Sequence, residues 1–228
     1  MSAPTQVLVI GASRGLGLGF VDHYLAQGAA VTATVRDHAA EARLRARGVA
    51  VERLDLLDPQ AIERIGGRIE SQRFSLAILN AGVTGPRGSD LRAGVERAQF
   101  DRVMHTNVHA ALALAAPLTA ALAAARGALV FLTSRMGSIA GAASSGSALY
   151  RVSKAAENMV ARLAHLDAAS RHVRVLALHP GWVRTDMGGQ GADIDVETSI
   201  AGMAGVIADP ARYPSGGFYD YRGESIEW

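Results

Sequence analysis

The sequence predicts an α/β protein in which one doubly wound, parallel β-sheet carries helices on both faces. Short apolar, β-branched segments alternate with helical segments along the chain, and neither a linker nor a repeat separates them. The first apolar segment runs into a glycine-rich turn at residues 11–17, which is typical of a strand that leads directly into a helix. The 228 residues, 49% of them hydrophobic, suffice for one large core, so we expect a single domain over 1–228.

The elements follow from the local pattern. Strands are predicted at residues 5–10, 30–35, 49–54, 76–79, 127–133, 173–178 and 218–221. Helices are predicted between them, and Asp58 followed by Pro59 supplies an N-cap and a first helical residue for one that runs to about Ile69. Longer helices are expected over residues 100–125 and 147–169. In such a sheet, ligands bind at the carboxyl ends of the strands.

The segment 108–125 is almost uncharged and as long as a membrane span. It is mostly alanine and contains His109, Pro117 and Thr119, which a lipid-facing span disfavours. We therefore expect a buried or subunit-facing helix, bent or interrupted near Pro117, and no membrane partner.

Composition excludes several classes of protein. The chain has no cysteine, so disulfides and thiolate metal sites are excluded. Its net charge is +2 with acids and bases interspersed, which gives no basic block for nucleic acid. His105 and His109 are four residues apart, but no ligand cluster accompanies them, so no metal site is predicted. Residues 1–6 lack the features of a signal peptide, and we expect a cytoplasmic protein.

The glycine turn has the composition of a phosphate-binding loop. Gly11, Gly15 and Gly17 allow the backbone to approach a pyrophosphate closely, and the helix that begins there offers free N–H groups and a positive dipole end. A tight strand-to-helix turn without a ligand is the alternative.

Lys154 is the only lysine among 23 basic residues, and it follows Tyr150 by four positions. On a helix these positions share one face, so the ammonium can reach the phenol or a ligand against it. An ammonium is a compact point charge, whereas a guanidinium is broad and planar. The alternative is a solvated helix lysine.

These motifs, in this order, resemble the short-chain dehydrogenase/reductase family over essentially the whole chain, with its Rossmann-type fold. The matching residues are Gly11, Gly15, Gly17, Asp55, Asn80, Ala81, Gly82, Asn107, Ser134, Tyr150, Lys154, Pro180, Gly181 and Thr185. Within the family, residues 134–139, 150–151 and 217–221 are most similar to C-factor and sniffer-type carbonyl reductases.

The resemblance implies a role for each matching residue. Tyr150 would protonate a carbonyl oxygen, Lys154 would make the phenol more acidic and bind the nicotinamide ribose, and Ser134 would hold the substrate oxygen. Asn107 would steady a proton-relay water. The implied cofactor-binding residues are Gly11, Ser13, Arg14, Gly15, Leu16, Gly17, Arg36, Asp55, Leu56, Asn80, Ala81, Gly82, Tyr150, Lys154, Pro180, Gly181, Val183 and Thr185.

One position departs from the family pattern. Many members have the serine thirteen residues before the tyrosine, where this chain has Gly137. Ser134 at a strand end, with a longer loop, is the preferred assignment, and Ser138 is the competitor. The alternative roles are helix capping for Ser134 and simple backbone bonding for Asn107.

The second strand carries a cofactor signal. Arg36 ends it, about 20 residues beyond the glycine turn, where an acidic residue would bind the ribose 2′-hydroxyl of NAD. Arginine favours a 2′-phosphate instead, and Arg14 could add a contact, so NADP(H) is expected. Asp37 lies one position late for the NAD role.

The resemblance thus implies an NADPH-dependent oxidoreductase that transfers hydride between nicotinamide and a small carbonyl or alcohol substrate. A C-factor-like signalling or redox-sensing protein is the alternative, and a lyase or epimerase on the same fold is a remote third. A flexible substrate lid is expected over 187–196. The helices at 108–125 and around Tyr150 are expected to pair in a homodimer or homotetramer.

Overall fold

The computed structural model describes residues 5–86, 91–92 and 94–228. Its seven strands are β1 (Gln6–Ile10), β2 (Ala30–Val35), β3 (Ala50–Arg53), β4 (Leu76–Leu79), β5 (Ala128–Leu132), β6 (Arg174–His179) and β7 (Phe218–Asp220). They form one sheet in the order β3-β2-β1-β4-β5-β6-β7, and all neighbours are parallel. The predicted doubly wound parallel sheet is confirmed.

The helices cover both faces of this sheet. They are α1 (Gly15–Ala26), α2 (His38–Arg45), α3 (Pro59–Glu70), α4 (Arg97–Met104), α5 (Ala110–Ala123), α6 (Ala148–Ala168) and α7 (Val196–Ala208). Leu8 and Ile10 of β1 join a core with α3, α5 and α6, whereas Val7 and Val9 join the opposite core with α1, α2 and α7. Because the central strands are buried on both faces, they read in the sequence as continuous apolar runs.

Aspartates cap three of the helices. Asp37 accepts a hydrogen bond from the Ala40 N–H (2.8 Å), and Asp58 accepts one from Gln60 (2.9 Å) ahead of Pro59, as the sequence predicts. Asp195 caps α7 in the same way. By contrast, α1 has neither a side-chain cap nor an acidic residue in its first turn. Its N–H groups and positive dipole end are therefore open to a ligand.

Of the bend or interruption expected near Pro117, the interruption is wrong, because α5 runs through that proline from Ala110 to Ala123. Burial holds the helix together despite the lost N–H, and Gly66 of α3 leaves room for the proline ring. The irregular turn lies earlier, where His105–His109 is π-helical. The combined helix Arg97–Ala123 is long and apolar enough to cross a membrane, but its inner side packs in the core.

Candidate active site

A cleft of about 480 Å³ lies at the carboxyl edge of the sheet, a volume typical of small-molecule sites. Its walls include most of the predicted cofactor residues, namely Gly11, Ser13, Arg14, Gly15, Leu16, Arg36, Asp55, Leu56, Asn80, Ala81, Gly82, Tyr150, Lys154, Pro180 and Thr185. The residues that line the cleft do not include the predicted residues Gly17, Asn107, Ser134, Gly181 and Val183. Five loops that follow strands thus meet in one place, as expected for a doubly wound sheet.

The glycine turn is held rigidly from both sides. The Gly11 N–H donates to Thr34 Oγ1 (2.9 Å), and the Gly11 carbonyl accepts from Asn80 Nδ2 (2.5 Å). Gly11 has φ +86°, a left-handed conformation that favours glycine. A Cβ at Gly17 would overlap the Gly11 carbonyl oxygen, so this position requires glycine for close packing. Gly17 therefore supports the turn rather than lining the cleft.

This turn presents the uncapped N-terminus of α1 to the cleft. Thr185 stands opposite, with its methyl group 3.5 Å from where a Gly15 Cβ would lie. Backbone N–H groups at a helix N-terminus, next to glycines that leave space, form a cradle for an anionic group. The residues present therefore fit the pyrophosphate of a dinucleotide.

Arginines lie near Ser13 at one end of the cleft. Arg36 is exposed, and its backbone N–H donates to Ser13 Oγ (3.4 Å). Arg43 of α2 donates to the Ser13 carbonyl (2.6 Å), a third arginine that sequence reasoning missed. Asp37 is occupied in capping α2, which leaves it poorly placed for a ribose. The arrangement fits a phosphate beside the ribose better than a 2′-hydroxyl.

Arg14, the arginine of the glycine turn, reaches across the cleft. Arg14 forms an ion pair with Asp186 at 2.5 Å, and the two side chains are 68% and 71% exposed. Asp186 directly follows Thr185 in the loop after β6. The walls of the cleft are thus joined at its surface by a solvated pair that contributes little to stability.

Asp55 and Leu56 line the cleft beyond β3. The Asp55 carboxylate accepts from the Leu57 N–H (3.0 Å), which shapes the turn, and Leu56 is buried. An apolar floor with a nearby carboxylate is suited to a flat heteroaromatic ring that carries an amine.

Tyr150 and Lys154 meet at the other end of the cleft, on one face of α6. Lys154 Nζ lies 5.9 Å from the centre of the Tyr150 ring. The Lys154 side chain is only 3% exposed, so the alternative of a solvated helix lysine is wrong. Nζ donates to the Leu132 carbonyl (3.1 Å) and to Glu157 Oε2 (2.6 Å).

The charge on Lys154 is retained despite its burial. Burial disfavours the ammonium, but the Glu157 carboxylate and Tyr150 outweigh it, and the pKa of Lys154 is raised above its ordinary value. Burial likewise raises the pKa of Glu157, although Lys154 opposes that change. Sequence reasoning missed Glu157; its position three residues after the lysine, on the same helix face, indicates a possible ion pair but not its burial.

Gly137 explains the departure from the family's serine spacing. A Cβ at this position would lie 2.6 Å from the backbone carbon of Lys154, because the 3₁₀ turn Arg135–Gly137 packs directly on α6. A serine thirteen residues before Tyr150 would therefore clash with the helix backbone.

The two candidate serines have different partners. Ser138 Oγ donates to the Glu227 carbonyl (2.5 Å) and accepts from the Gly141 N–H (2.9 Å), so it ties the C-terminal segment to the loop. Ser134 Oγ accepts from the Met136 N–H (3.1 Å), which caps the 3₁₀ turn. A hydroxyl that only accepts retains its proton for a further partner, which favours Ser134 over Ser138.

Asn107 is buried on the π-helical turn His105–His109. Its side chain accepts from the Val83 N–H (2.8 Å) and donates to the Val83 carbonyl (2.8 Å) and to Ser153 Oγ (2.9 Å). It therefore joins the loop after β4 to α6, close to Lys154. Its role at a relay water stays a prediction.

Comparison with known proteins identifies the family. The family description "short chain dehydrogenase" matches residues 5–193 of this chain. The protein therefore belongs to the short-chain dehydrogenase/reductase family, and it is an oxidoreductase of that family.

Similar proteins include two carbonyl reductases and a C-signal protein. The carbonyl reductase Sniffer of D. melanogaster superimposes with a TM-score of 0.88 at 28% identity, over 98% of this chain and 99% of that chain. The NADPH-bound carbonyl reductase from chicken fatty liver gives a TM-score of 0.86 at 30% identity, over 98% and 99%. The C-signal protein of Myxococcus xanthus is 43% identical over 97 residues, which span 42% of this chain and 58% of that relative.

Proposed function

We propose that this protein is an NADPH-dependent carbonyl reductase, which also oxidises the corresponding alcohols in reverse. The observation that carries the proposal is the buried Lys154 beside Tyr150, at the end of a cleft whose other end is lined by arginines. The carbonyl reductases with similar folds support the substrate class.

Different parts of the cleft would bind the phosphates of the cofactor, its nicotinamide and the substrate. The glycine turn and the N-terminus of α1 would hold the pyrophosphate, and Arg36, with Arg14, would bind the 2′-phosphate. NADPH supplies the hydride when it is bound. Pro180, Gly181, Val183 and Thr185 would border the nicotinamide, and residues 187–196 would close over the substrate as a lid.

Tyr150 would donate the proton that the carbonyl oxygen gains during reduction, and it would recover it from solvent. Ser134 would donate a hydrogen bond to the same oxygen, where negative charge develops. Lys154 would stabilise the phenolate that remains and bind the ribose. Asn107 would join the loop after β4 to α6 and steady a proton-relay water behind Lys154.

The test is oxidation of NADPH, followed by absorbance, with a panel of aldehydes and ketones, alongside NADPH binding by fluorescence titration. We expect turnover with at least one apolar carbonyl compound and weaker turnover with NADH. Binding of NADPH without reduction of any carbonyl would favour the C-factor-like sensor, whereas product formed without net cofactor oxidation would indicate a lyase or epimerase.

We also propose that the protein assembles through α5 and α6. Val152, Met159, Leu163 and Leu166 form an exposed apolar stripe along α6, and Leu112 is exposed on the adjoining α5. Exposed apolar faces of this kind mark interaction surfaces. Sedimentation should give a homodimer or homotetramer, and Leu163→Arg should dissociate it; a monomer in wild type contradicts the proposal.

A cytoplasmic location is proposed as well. The absence of cysteine is compatible with a reducing compartment, where thiol crosslinks are not needed for stability. Fractionation of the source cells with an antibody to the chain checks this, and recovery with membranes or outside the cell contradicts it.

A further inference from the structure

Glu157 is a buried carboxylate that the proposed mechanism does not use. Its side chain and that of Lys154 are each 3% exposed, and their charged atoms are 2.6 Å apart. Within the described residues, Lys154 is its hydrogen-bond and ion-pair partner. Removing a carboxylate from water costs considerable free energy. The contact with Lys154 offsets this cost and allows Glu157 to be buried.

The pair changes what Lys154 presents to the cleft. Two of the three ammonium N–H groups are directed to Glu157 and to the Leu132 carbonyl, so one remains for the cleft. An ionised Glu157 also compensates the positive charge, because an adjacent opposite charge cancels much of its field at a distance. The lysine then acts on Tyr150 less strongly than an isolated ammonium does.

We propose that Glu157 is a positioning residue that holds Lys154 at the β5 side of the cleft and regulates how much of its charge acts on Tyr150. This inference rests on the proposed reductase function and deepens it. Protonation of Glu157 leaves the ammonium uncompensated and strengthens its effect on the phenol, whereas ionisation weakens it.

Other charged groups around the pair belong to separate contacts. Arg135, on the 3₁₀ turn packed against α6, pairs with Asp220. His179, at the end of β6, has its pKa lowered to about 4 by burial and by Arg135, so it is neutral at physiological pH. On the π-helical turn, His105 and His109 are exposed.

The neutral groups near the pair include the Leu132 carbonyl of β5, which accepts a hydrogen bond from Lys154. They also include Asn107, which donates a hydrogen bond to Ser153. Among the described residues, Lys154 is the one charged group that acts on Glu157, while Glu157 and Tyr150 act on Lys154.

Glu157→Gln tests the proposal, because it removes the charge and keeps the size and an acceptor oxygen. Reduction needs protonated Tyr150, so activity is lost as pH rises through the titration of the phenol. Without the negative charge, the phenolate is favoured, and the high-pH limb of kcat should move down by about one pH unit. Asp167→Asn, which removes an exposed carboxylate from the same helix, should leave the limb in place.

A second measurement does not depend on turnover. The ultraviolet absorbance of tyrosinate is followed against pH, and subtraction of the matching Tyr150→Phe protein isolates this phenol. Its midpoint should fall by about one pH unit in Glu157→Gln, whose amide oxygen still accepts from the ammonium, while Glu157→Asp should lie closer to wild type.

The outcomes separate the two proposals. An unchanged midpoint and an unchanged kcat limb in a folded Glu157→Gln protein overturn the role of Glu157, even if thermal stability falls. A shifted midpoint in a protein that reduces no carbonyl supports the coupling of Glu157, Lys154 and Tyr150 and instead overturns the reductase function.

Discussion

The two ends of the cleft use charge in opposite ways. At the end around Ser13, the cations Arg14, Arg36 and Arg43 are exposed, and Arg14 is 68% exposed even in its ion pair. Lys154, which lines the cleft together with Tyr150, is instead 3% exposed and bonded to Glu157. Solvent screens the first group and hardly screens the second.

The difference in exposure between the arginines and Lys154 predicts that the arginines determine cofactor affinity and that Lys154 determines the rate of turnover. Exposed, solvated guanidinium groups attract an anionic ligand and select it, but water screens their charge. A buried ammonium fixed by two acceptors can act on a neighbouring phenol in a defined direction. Substitutions at the arginine end should therefore change cofactor binding, and substitutions at the lysine end should change turnover.

The largest effect is expected for Tyr150→Phe. It removes the proton donor and leaves the ring, so kcat should fall by about a hundredfold to ten-thousandfold, while NADPH affinity changes far less. Steady-state kinetics and fluorescence titration of both proteins measure this. Undiminished reduction in the variant shows that Tyr150 is not the acid.

Ser134→Ala should reduce kcat by about a hundredfold or more, the usual effect of losing a donor to a developing oxyanion. Ser138→Ala is the matched control. It should loosen the C-terminal segment, because Ser138 binds the Glu227 carbonyl, and reduce stability more than kcat. If Ser138→Ala instead loses more kcat than Ser134→Ala, and both variants unfold at normal temperatures, Ser138 is the serine that binds the substrate oxygen.

Lys154→Arg keeps the charge and should still lose most activity, roughly tenfold or more, because the guanidinium fork cannot occupy the same buried space. Circular dichroism should show a folded protein. Arg162→Lys on the exposed side of α6 controls for the exchange of residue type. Near-normal turnover in a folded Lys154→Arg protein contradicts the hypothesis that catalysis requires a compact ammonium at this position.

Arg36→Ala should lower the preference for NADPH over NADH, as a ratio of kcat/KM, by about tenfold to a hundredfold. Arg68→Ala removes an exposed arginine outside the cleft lining and should leave the ratio unchanged. If wild type uses both cofactors equally, or prefers NADH, the assignment of Arg36 fails.

The smallest effect is expected for Asp186→Asn, which releases Arg14 from its ion pair. NADPH should bind up to about fivefold more tightly at low salt, and the gain should vanish at high salt. Asp22→Asn breaks another exposed arginine pair of 2.5 Å and serves as the control. A gain that persists at high salt means that Asp186 acts through more than screened charge.

The sequence by itself determined the strand order along the chain, the glycine turn and the Tyr150/Lys154 pair. These features depend on neighbours in sequence: apolar runs, turn glycines and four-residue helical spacing. The capping aspartate Asp58 was readable for the same reason. The resemblance to a known family, carried by the order of the motifs, then named the remaining site residues.

The tertiary structure decided what depends on distant contacts. Pro117 does not interrupt α5, because Gly66 of a different helix accommodates its ring. Ser138 is committed to the C-terminal segment, a partner 89 residues away in the chain.

The ionic state of the site is the clearest case. Glu157 reads in the sequence as one more helix carboxylate, yet only packing against the sheet removes it from water. Similarly, Arg43 reaches the glycine turn from a helix 30 residues later. Desolvation and long-range proximity are properties of the folded chain, so local patterns do not encode them.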